Sequence, residues 1–482
     1  MEDRSLAAEW TNQTHLHGVG LAALIVLGVV LLSVPRRYAV LPLAIMACFV
    51  ASAQRIDVGG LDFDLLRIMT LIGWVRIIAR NENRGFTFKP IDFVIIAWAL
   101  SGTIAFTVLH GSTTALINRL GLMFDALGLY FLFRAVVRDW TDVDRIVQSL
   151  MIVSVPVALA FLIERSTGRN FFAFFGGVPE TTVVRDGKLR CQGAFSHAIL
   201  AGCFFAALMP LFAARWWASR RQRGFTIVAL AAGLVIVLAT NSSTSVMAVA
   251  AGVFGGLMYR LRNHVRAIWW TALGIMVAMQ LEMKSNVWHL LSRINVISGS
   301  TGYHRYKLID EAVNHLGEWW LIGVKDTSHW FHGLQDITNQ FILEGVRGGL
   351  LTMLLFVATL VLAFRGLRLR FALVQHDPRL AAYVWAIGVS LFVHCVCFMG
   401  VSYFGQIKLL WYLTLAIIGA ITPVAFAKQA DGKWVSRAGA TVARRTVVSN
   451  AAAVRRSTRV ARPVAATRVG IRAPRRPLRR RP

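Results

Sequence analysis

Apolar residues along this chain fall in long unbroken runs, not in the i, i+3, i+4 rhythm of a surface helix. A run of about 20 apolar residues crosses the ~30 Å hydrocarbon core of a bilayer as a helix. On that measure the sequence predicts helices over 18–34, 38–53, 61–79, 91–109, 115–137, 146–163, 197–214, 225–240, 244–259, 267–281, 348–364, 381–400 and 408–427. The expected fold is an all-α, polytopic transmembrane bundle of about 12–13 helices. The span 61–79 is the weakest, because it carries Asp62, Asp64, Arg67 and Arg76. Only Asn241, Ser242 and Ser243 separate two of the spans, which predicts a tight helical hairpin. Hydrophobic residues make up 56% of the 482 and charged residues 16%, which excludes a soluble or largely disordered chain.

The charges give a direction. Net charge is +28, which by itself would suggest a nucleic acid or an anionic membrane as partner. The basic residues instead gather on alternate connections: Arg36 and Arg37; Arg80, Arg84 and Lys89; Arg138 and Arg145; Arg215, Arg220, Arg221 and Arg223; Arg260, Arg262 and Arg266; Arg365, Arg368, Arg370 and Arg379. By the positive-inside rule that side is cytoplasmic. The segment 428–482 falls there too, with 16 Lys+Arg against Asp431 alone. It reads as a disordered basic cytoplasmic tail that leans on anionic lipid at ~1 kcal/mol per nearby basic residue. It lacks the recognition fold and interleaved aromatics that nucleic-acid binding calls for. The N-terminus then lies outside, and its late, acid-flanked first apolar run predicts no cleavable signal. Cys48, Cys203, Cys395 and Cys397 sit in apolar spans, and Cys191 is expected to be exposed in an outer loop, so no disulfide framework is implied.

Two outer segments, about 164–196 and 282–347, are too long to be simple turns. They divide the chain into N-terminal helices (1–163), a first outer loop with central helices (164–281), a large outer loop (282–347), C-terminal helices (348–427) and the tail. Both loops are aromatic: Phe171, Phe172, Phe174 and Phe175 in the first, Trp288, Tyr303, Tyr306, Trp319, Trp320, Trp330 and Phe331 in the second. Packing and an interfacial belt, or stacking on sugars, are the alternatives for these rings. Stretch 304–318 reads as a short amphipathic helix, and the second loop is expected to form a helical cap.

No nucleotide-binding glycine loop, zinc-spaced Cys/His set or Gly-x-Ser-x-Gly elbow occurs, so neither a metal nor a cofactor is expected. Gly252 and Gly256 form a Gly-x-x-x-Gly pair that allows close helix packing inside the bundle. Arg119, Asp125 and Arg134 are intramembrane charges; the arginines can snorkel to opposite interfaces, whereas Asp125 needs a partner or a function. The outer loops hold more specific patterns: Arg190-Cys191-Gln192-Gly193-Ala194-Phe195-Ser196-His197 in the first, and Gly302-Tyr303-His304-Arg305, Asp336-Ile337-Thr338-Asn339-Gln340-Phe341 and Gly348-Gly349-Leu350 in the second. An arginine at the outer interface can grip a lipid-linked phosphate with its planar fork. Asn339 and Gln340 offer hydrogen bonds to sugar hydroxyls, and His329, His332 and Asp336 offer proton transfer. His197 and Tyr303, in the two arginine-bearing motifs, complete the candidate substrate-binding set. The two loops carry eleven basic residues and ten acids, so particular arginines, and not a basic bowl, would meet a phosphate.

In the order of these motifs the chain resembles the bacterial O-antigen ligase/polymerase family over roughly residues 90–425. The resemblance implies a polytopic inner-membrane glycosyltransferase with its active face periplasmic and its C-terminus cytoplasmic. It implies transfer en bloc of an oligosaccharide from undecaprenyl pyrophosphate, without a nucleotide sugar or a required metal, to a glycan acceptor. Other polysaccharide-assembly membrane proteins would be natural partners. Arg190 and Arg305 match the family's loop arginines and would neutralise the pyrophosphate leaving group. Ligase-like members carry a histidine directly before the asparagine of the last motif; here Thr338 stands there, and threonine is no base at neutral pH. Asp336, His332 or His329 could supply that function. The departure favours polymerisation of O-antigen or exopolysaccharide repeats over ligation to a lipid A core or protein. A transporter or flippase for lipid-linked sugars is the reading from another class; the chain shows no internal duplication to favour it.

Overall fold

The structure, a computed structural model, describes residues 14–218, 222–283, 286–293 and 302–421. The predicted basic tail and the acidic N-terminal stretch lie outside the described residues. Every predicted span holds a helix. They are α1 (Gly18–Ser33), α2 (Val40–Phe49), α3 (Leu65–Ala79), α4 (Pro90–His110), α5 (Thr113–Val136), α6 (Trp140–Thr167), α7 (Ala198–Ala218), α8 (Arg223–Ala239), α9 (Ser243–Leu257), α10 (Val265–Glu282), α13 (Gln340–Val374), α14 (Pro378–Phe398) and α15 (Ile407–Ala420). Two more, α11 (Gly302–Asn314) and α12 (Leu316–Trp319), lie in the large loop. Among the described residues seven helices are long and apolar enough to cross a membrane, and four shorter apolar ones accompany them. The fold is an all-α, multi-pass membrane bundle.

Local chemistry sets the helix ends. Pro90 opens α4, where its missing N–H costs nothing. Asp139 and Asp142 form a reciprocal capping box at the start of α6, which stops at Gly168 in the left-handed region (φ 69°). The span 61–79 needs correction. Its first four residues form strand β2 (Leu61–Asp64), paired antiparallel with β1 (Arg55–Val58) through a Gly59-Gly60 turn, with both glycines at positive φ. Only from Leu65 does the chain turn helical, and the Asp64 side chain caps α3 by accepting from Arg67 N–H at 2.8 Å.

The connections fall at two ends. At the end carrying the basic turns, Arg36 meets Asp142, Arg76 bonds Val34 O at 2.7 Å and Glu82 at 2.8 Å, and Arg215 meets Asp144. At the other end, the loop end, Gln54 bonds Phe175 O at 2.7 Å, Ser52 meets Ser196 at 2.8 Å, and Gln406 bonds Ala194 O at 2.5 Å. The predicted hairpin α8–α9 turns tightly through Asn241, a non-glycine at φ 44°. The packing glycine on α9 is Gly255, whose added Cβ would lie 2.8 Å from Val389. Gly256 faces open space, so the Gly252–Gly256 pair is only half engaged.

α13 starts eight residues before the predicted span, because Asn339 caps it by accepting from Phe341 N–H at 3.0 Å and Ile342 N–H at 3.3 Å. It kinks at Gly349 (φ 76°). The kink releases backbone groups that the large loop satisfies: Val324 N–H donates to Val346 O and Leu350 N–H to Trp320 O, both at 2.8 Å. A Cβ on Gly349 would lie 2.3 Å from Leu321 O, and one on Gly323 2.3 Å from Val346 O, so both positions need glycine. Leu308, Ala312, Trp319, Trp330, Leu334, Ile337 and Val346 form a separate small core there. The large loop is therefore a helical cap seated on the first turns of α13, as the aromatics and the 304–318 pattern predict.

Candidate functional site

The first arginine motif does not stay at the surface. Glu164, fully buried at the end of α6, accepts from Gln192 N–H (3.0 Å), Gly193 N–H (3.1 Å) and Thr182 Oγ (3.1 Å). Asn170 donates to Gly193 O at 2.9 Å. These bonds pull the segment into the bundle, so Cys191, Ala194 and Phe195 are fully buried. The expectation of an exposed Cys191 is thereby overturned, and burial pushes its thiol up to about 12. Arg190 sits half-buried at the rim. Its neighbours lock onto the α8–α9 turn: Cys191 N–H donates to Ala239 O at 3.2 Å, and Asn241 donates to Leu189 O at 2.5 Å. His197 stands at the start of α7, where its Nδ1 accepts from Ile199 N–H at 3.1 Å.

Arg305 reaches the same turn from the cap. Its Nη2 donates to Thr244 Oγ1 at 2.8 Å, and its Nε is buried without a hydrogen-bond partner among the described residues. Burial holds the guanidinium below its ordinary pKa, which raises the value of an incoming anion. Arg305 forms no ion pair with the acids of its own helix among the described residues; Lys307 takes Glu311, at 3.2 Å, and Asp310. A Cβ on Gly400 would lie 3.4 Å from Arg305 Cζ and 2.9 Å from Thr244, so the α14–α15 loop closes over the pair. Ser242 Oγ, on the same turn, is buried and without a hydrogen-bond partner among the described residues.

The other predicted residues scatter. Tyr303 is exposed beside Tyr306. His329 is exposed and bonds Glu318 at 2.9 Å. His332 and Asp336 are exposed, and neither is within hydrogen-bond reach of Arg305 among the described residues. Asn339 and Gln340 are buried and have structural partners. Asn339 caps α13, while Gln340 accepts from Tyr403 N–H at 2.6 Å and donates to Glu344 at 2.7 Å.

A second polar region was missed by the motif reading. A cleft of about 160 Å³ lies between α4, α5, α13 and the start of α15. Arg119, Glu344, Arg347 and Lys408 line it, with Trp98 and Trp411 among the apolar walls. Lys408 pairs with Asp125 at 3.0 Å, and Asp125 also takes Arg67 at 2.6 Å, which answers the question of its partner. Arg119 does not snorkel away; it lies over the Phe106 ring at 3.7 Å and faces the cleft. Asp336 lies within Coulomb reach of Arg347. The available signal was cations inside or beside apolar spans, with Glu344 and Arg347 three apart on one helix face. The α14–α15 loop joins the two regions, with Gly400 against Arg305 and Tyr403 lining the cleft.

No protein-family model matches the chain, and no curated protein matches it.

Proposed function

We propose that this protein is a glycosyltransferase of the cell envelope that joins carrier-linked oligosaccharides into a polymer. The donor is an oligosaccharide on a polyprenyl pyrophosphate, and the working face is the loop end, periplasmic by the charge rule. A hydroxyl of the acceptor glycan forms the new bond to the anomeric carbon. The bond from that carbon to the pyrophosphate oxygen breaks, and the hydroxyl proton passes to a base. Arg190 and Arg305 neutralise the leaving pyrophosphate, an electrostatic role of ~10²–10³ in rate per group.

The observation that carries this reading is the meeting of two segments, whose arginines lie more than 100 residues apart in the chain, on the α8–α9 turn. A guanidinium pulled in from a cap, with Nε left open, suits a transient anion. Asp336 and His332, both exposed in the segment that leads into α13, are the candidate proton acceptors. Deleting the gene and sizing the surface glycan tests the reading. Loss of long chains with single repeats retained supports polymerisation. Finished polymer left on its carrier lipid would instead mean ligation, and loss of every external repeat a flippase.

A further inference from the structure

We infer that the cleft between α4, α5 and α13 is a second anion site, which takes the phosphate group of a membrane amphiphile on Arg119 and Arg347. The argument starts from a contrast within the bundle. Arg36, Arg67, Arg76, Arg134 and Arg215 each have a carboxylate within 4 Å. Arg119 and Arg347 have none among the described residues, although both line the same cleft and repel one another. A cation on an apolar helix of a membrane bundle with no close counter-ion is a candidate functional group.

Glu344 lines the same cleft and attracts both guanidiniums, but it pairs with neither within 4 Å among the described residues. Glu344 is held by Trp98 Nε1 at 2.8 Å and Gln340 Nε2 at 2.7 Å, both neutral donors. Lys408 is already matched by Asp125. Arg119 Nε is buried with no hydrogen-bond acceptor among the described residues. Two guanidinium forks therefore converge on a space of about 160 Å³, many times what one water occupies. That geometry suits a tetrahedral oxyanion with several acceptor oxygens.

The surroundings select a lipid-borne phosphate over a free one. Trp98, Phe356 and Trp411 make apolar walls. The helices that frame the cleft expose Leu100, Ile104, Leu120 and Leu351 beside it, a surface for acyl or prenyl chains. Arg347 is itself exposed, so the site is reachable. The inference stands apart from the proposed catalytic arginines. If both hold, the protein has two places for a phosphate group, as joining two carrier-linked chains requires.

The test uses the full-length protein in nanodiscs with tritiated geranylgeranyl pyrophosphate as probe. Wild type should bind saturably, and Arg119→Gln and Arg347→Gln should each weaken binding at least tenfold. The Arg119→Lys, Arg347→Lys double variant should keep part of it. Geranylgeraniol should not compete, and inorganic pyrophosphate should compete at least tenfold more weakly than the prenyl ester. Equal competition by inorganic pyrophosphate would overturn the lipid assignment in favour of a free anion. Unchanged affinity in the Arg119→Gln, Arg347→Gln double variant would overturn the site. Misfolding is separated by the melting point of the ligand-free protein. The double Gln variant should melt at or above wild type, because it relieves a repulsion. A clear fall would make the arginines structural and sink the inference. Arg305→Ala should leave cleft binding in place; if it removed all binding, the cleft would be rejected while the glycan reading stood.

Discussion

At the basic end of the bundle, most buried arginines are matched, with Arg370 an exception: its buried Nη1 has no partner among the described residues. Asp92 accepts from Arg134 Nε and Nη2 at 3.0 Å and from the Tyr130 hydroxyl, and Arg76, Arg36 and Arg215 have their own acids. Toward the loop end, Arg55 and Arg67 still have their acids, but matching is incomplete. Arg305 has only a threonine hydroxyl, Arg119 lies on an aromatic face, and Glu344 attracts Arg119 and Arg347 without pairing with either among the described residues. Arg119 and Arg347 sit on apolar helices like those of the basic end, while Arg305 sits on the amphipathic cap helix α11. The matched set is satisfied within the fold and holds helices together. The other is left open toward a cleft and a turn, which is where a ligand's charge can be used.

This contrast can be broken or sharpened by substitution. The largest effect is expected at Asp92. Its side chain is fully buried, and Asp92→Asn leaves Arg134 without its counter-ion, at a cost of ~3–5 kcal/mol. A large fall in melting point should follow, and replacing both partners with apolar residues should recover much of it. Arg305→Ala should reduce polymer synthesis ~10²–10³-fold, or ~2.7–4 kcal/mol in the barrier, while the protein still accumulates in the membrane. Wild-type polymer length in that variant would show that the loop-end arginine is not catalytic.

Gly349→Ala tests the seat of the cap. It forces a Cβ at φ 76° against Leu321 O and should cost ~1–3 kcal/mol, seen as faster proteolysis between 302 and 339. At the small end, Arg119→Gln should change stability by no more than ~0.5 kcal/mol, or raise it, in opposition to Asp92→Asn. Cys191 should resist maleimide labelling at pH 8 in the folded protein. Its thiol is pushed up to about 12 by burial, so the reactive thiolate is scarce until the pH approaches that value. Labelling at pH 8 would mean that the segment does not dip into the bundle.

Much of the architecture was legible locally. Thirteen apolar runs are thirteen helices, since hydrocarbon permits no other open-ended element. The hairpin at 55–64 was also legible in principle, because Gly59-Gly60 between short alternating runs is a turn signal. A window long enough to detect a membrane span averages the alternating Leu61-Asp62-Phe63-Asp64 into the apolar helix that follows. Arg190 and Arg305 stand out in the sequence, but the turn they share does not, since Asn241 and Thr244 are ordinary residues there. Cys191 shows the same limit. A loop cysteine reads as exposed until Glu164, nearly 30 residues earlier, is seen to hold the segment down.

By itself, then, the sequence determined a many-helix membrane protein, its two unequal ends and the arginines worth attention. Those are consequences of hydropathy and charge, which act residue by residue. The tertiary structure decided which charges are cancelled. Asp125 takes Arg67 and Lys408, from positions 58 and 283 residues away along the chain, while Glu344 accepts from neutral donors and pairs closely with neither Arg119 nor Arg347 among the described residues. Pairing at a few ångströms depends on how distant helices meet, and no local pattern encodes that.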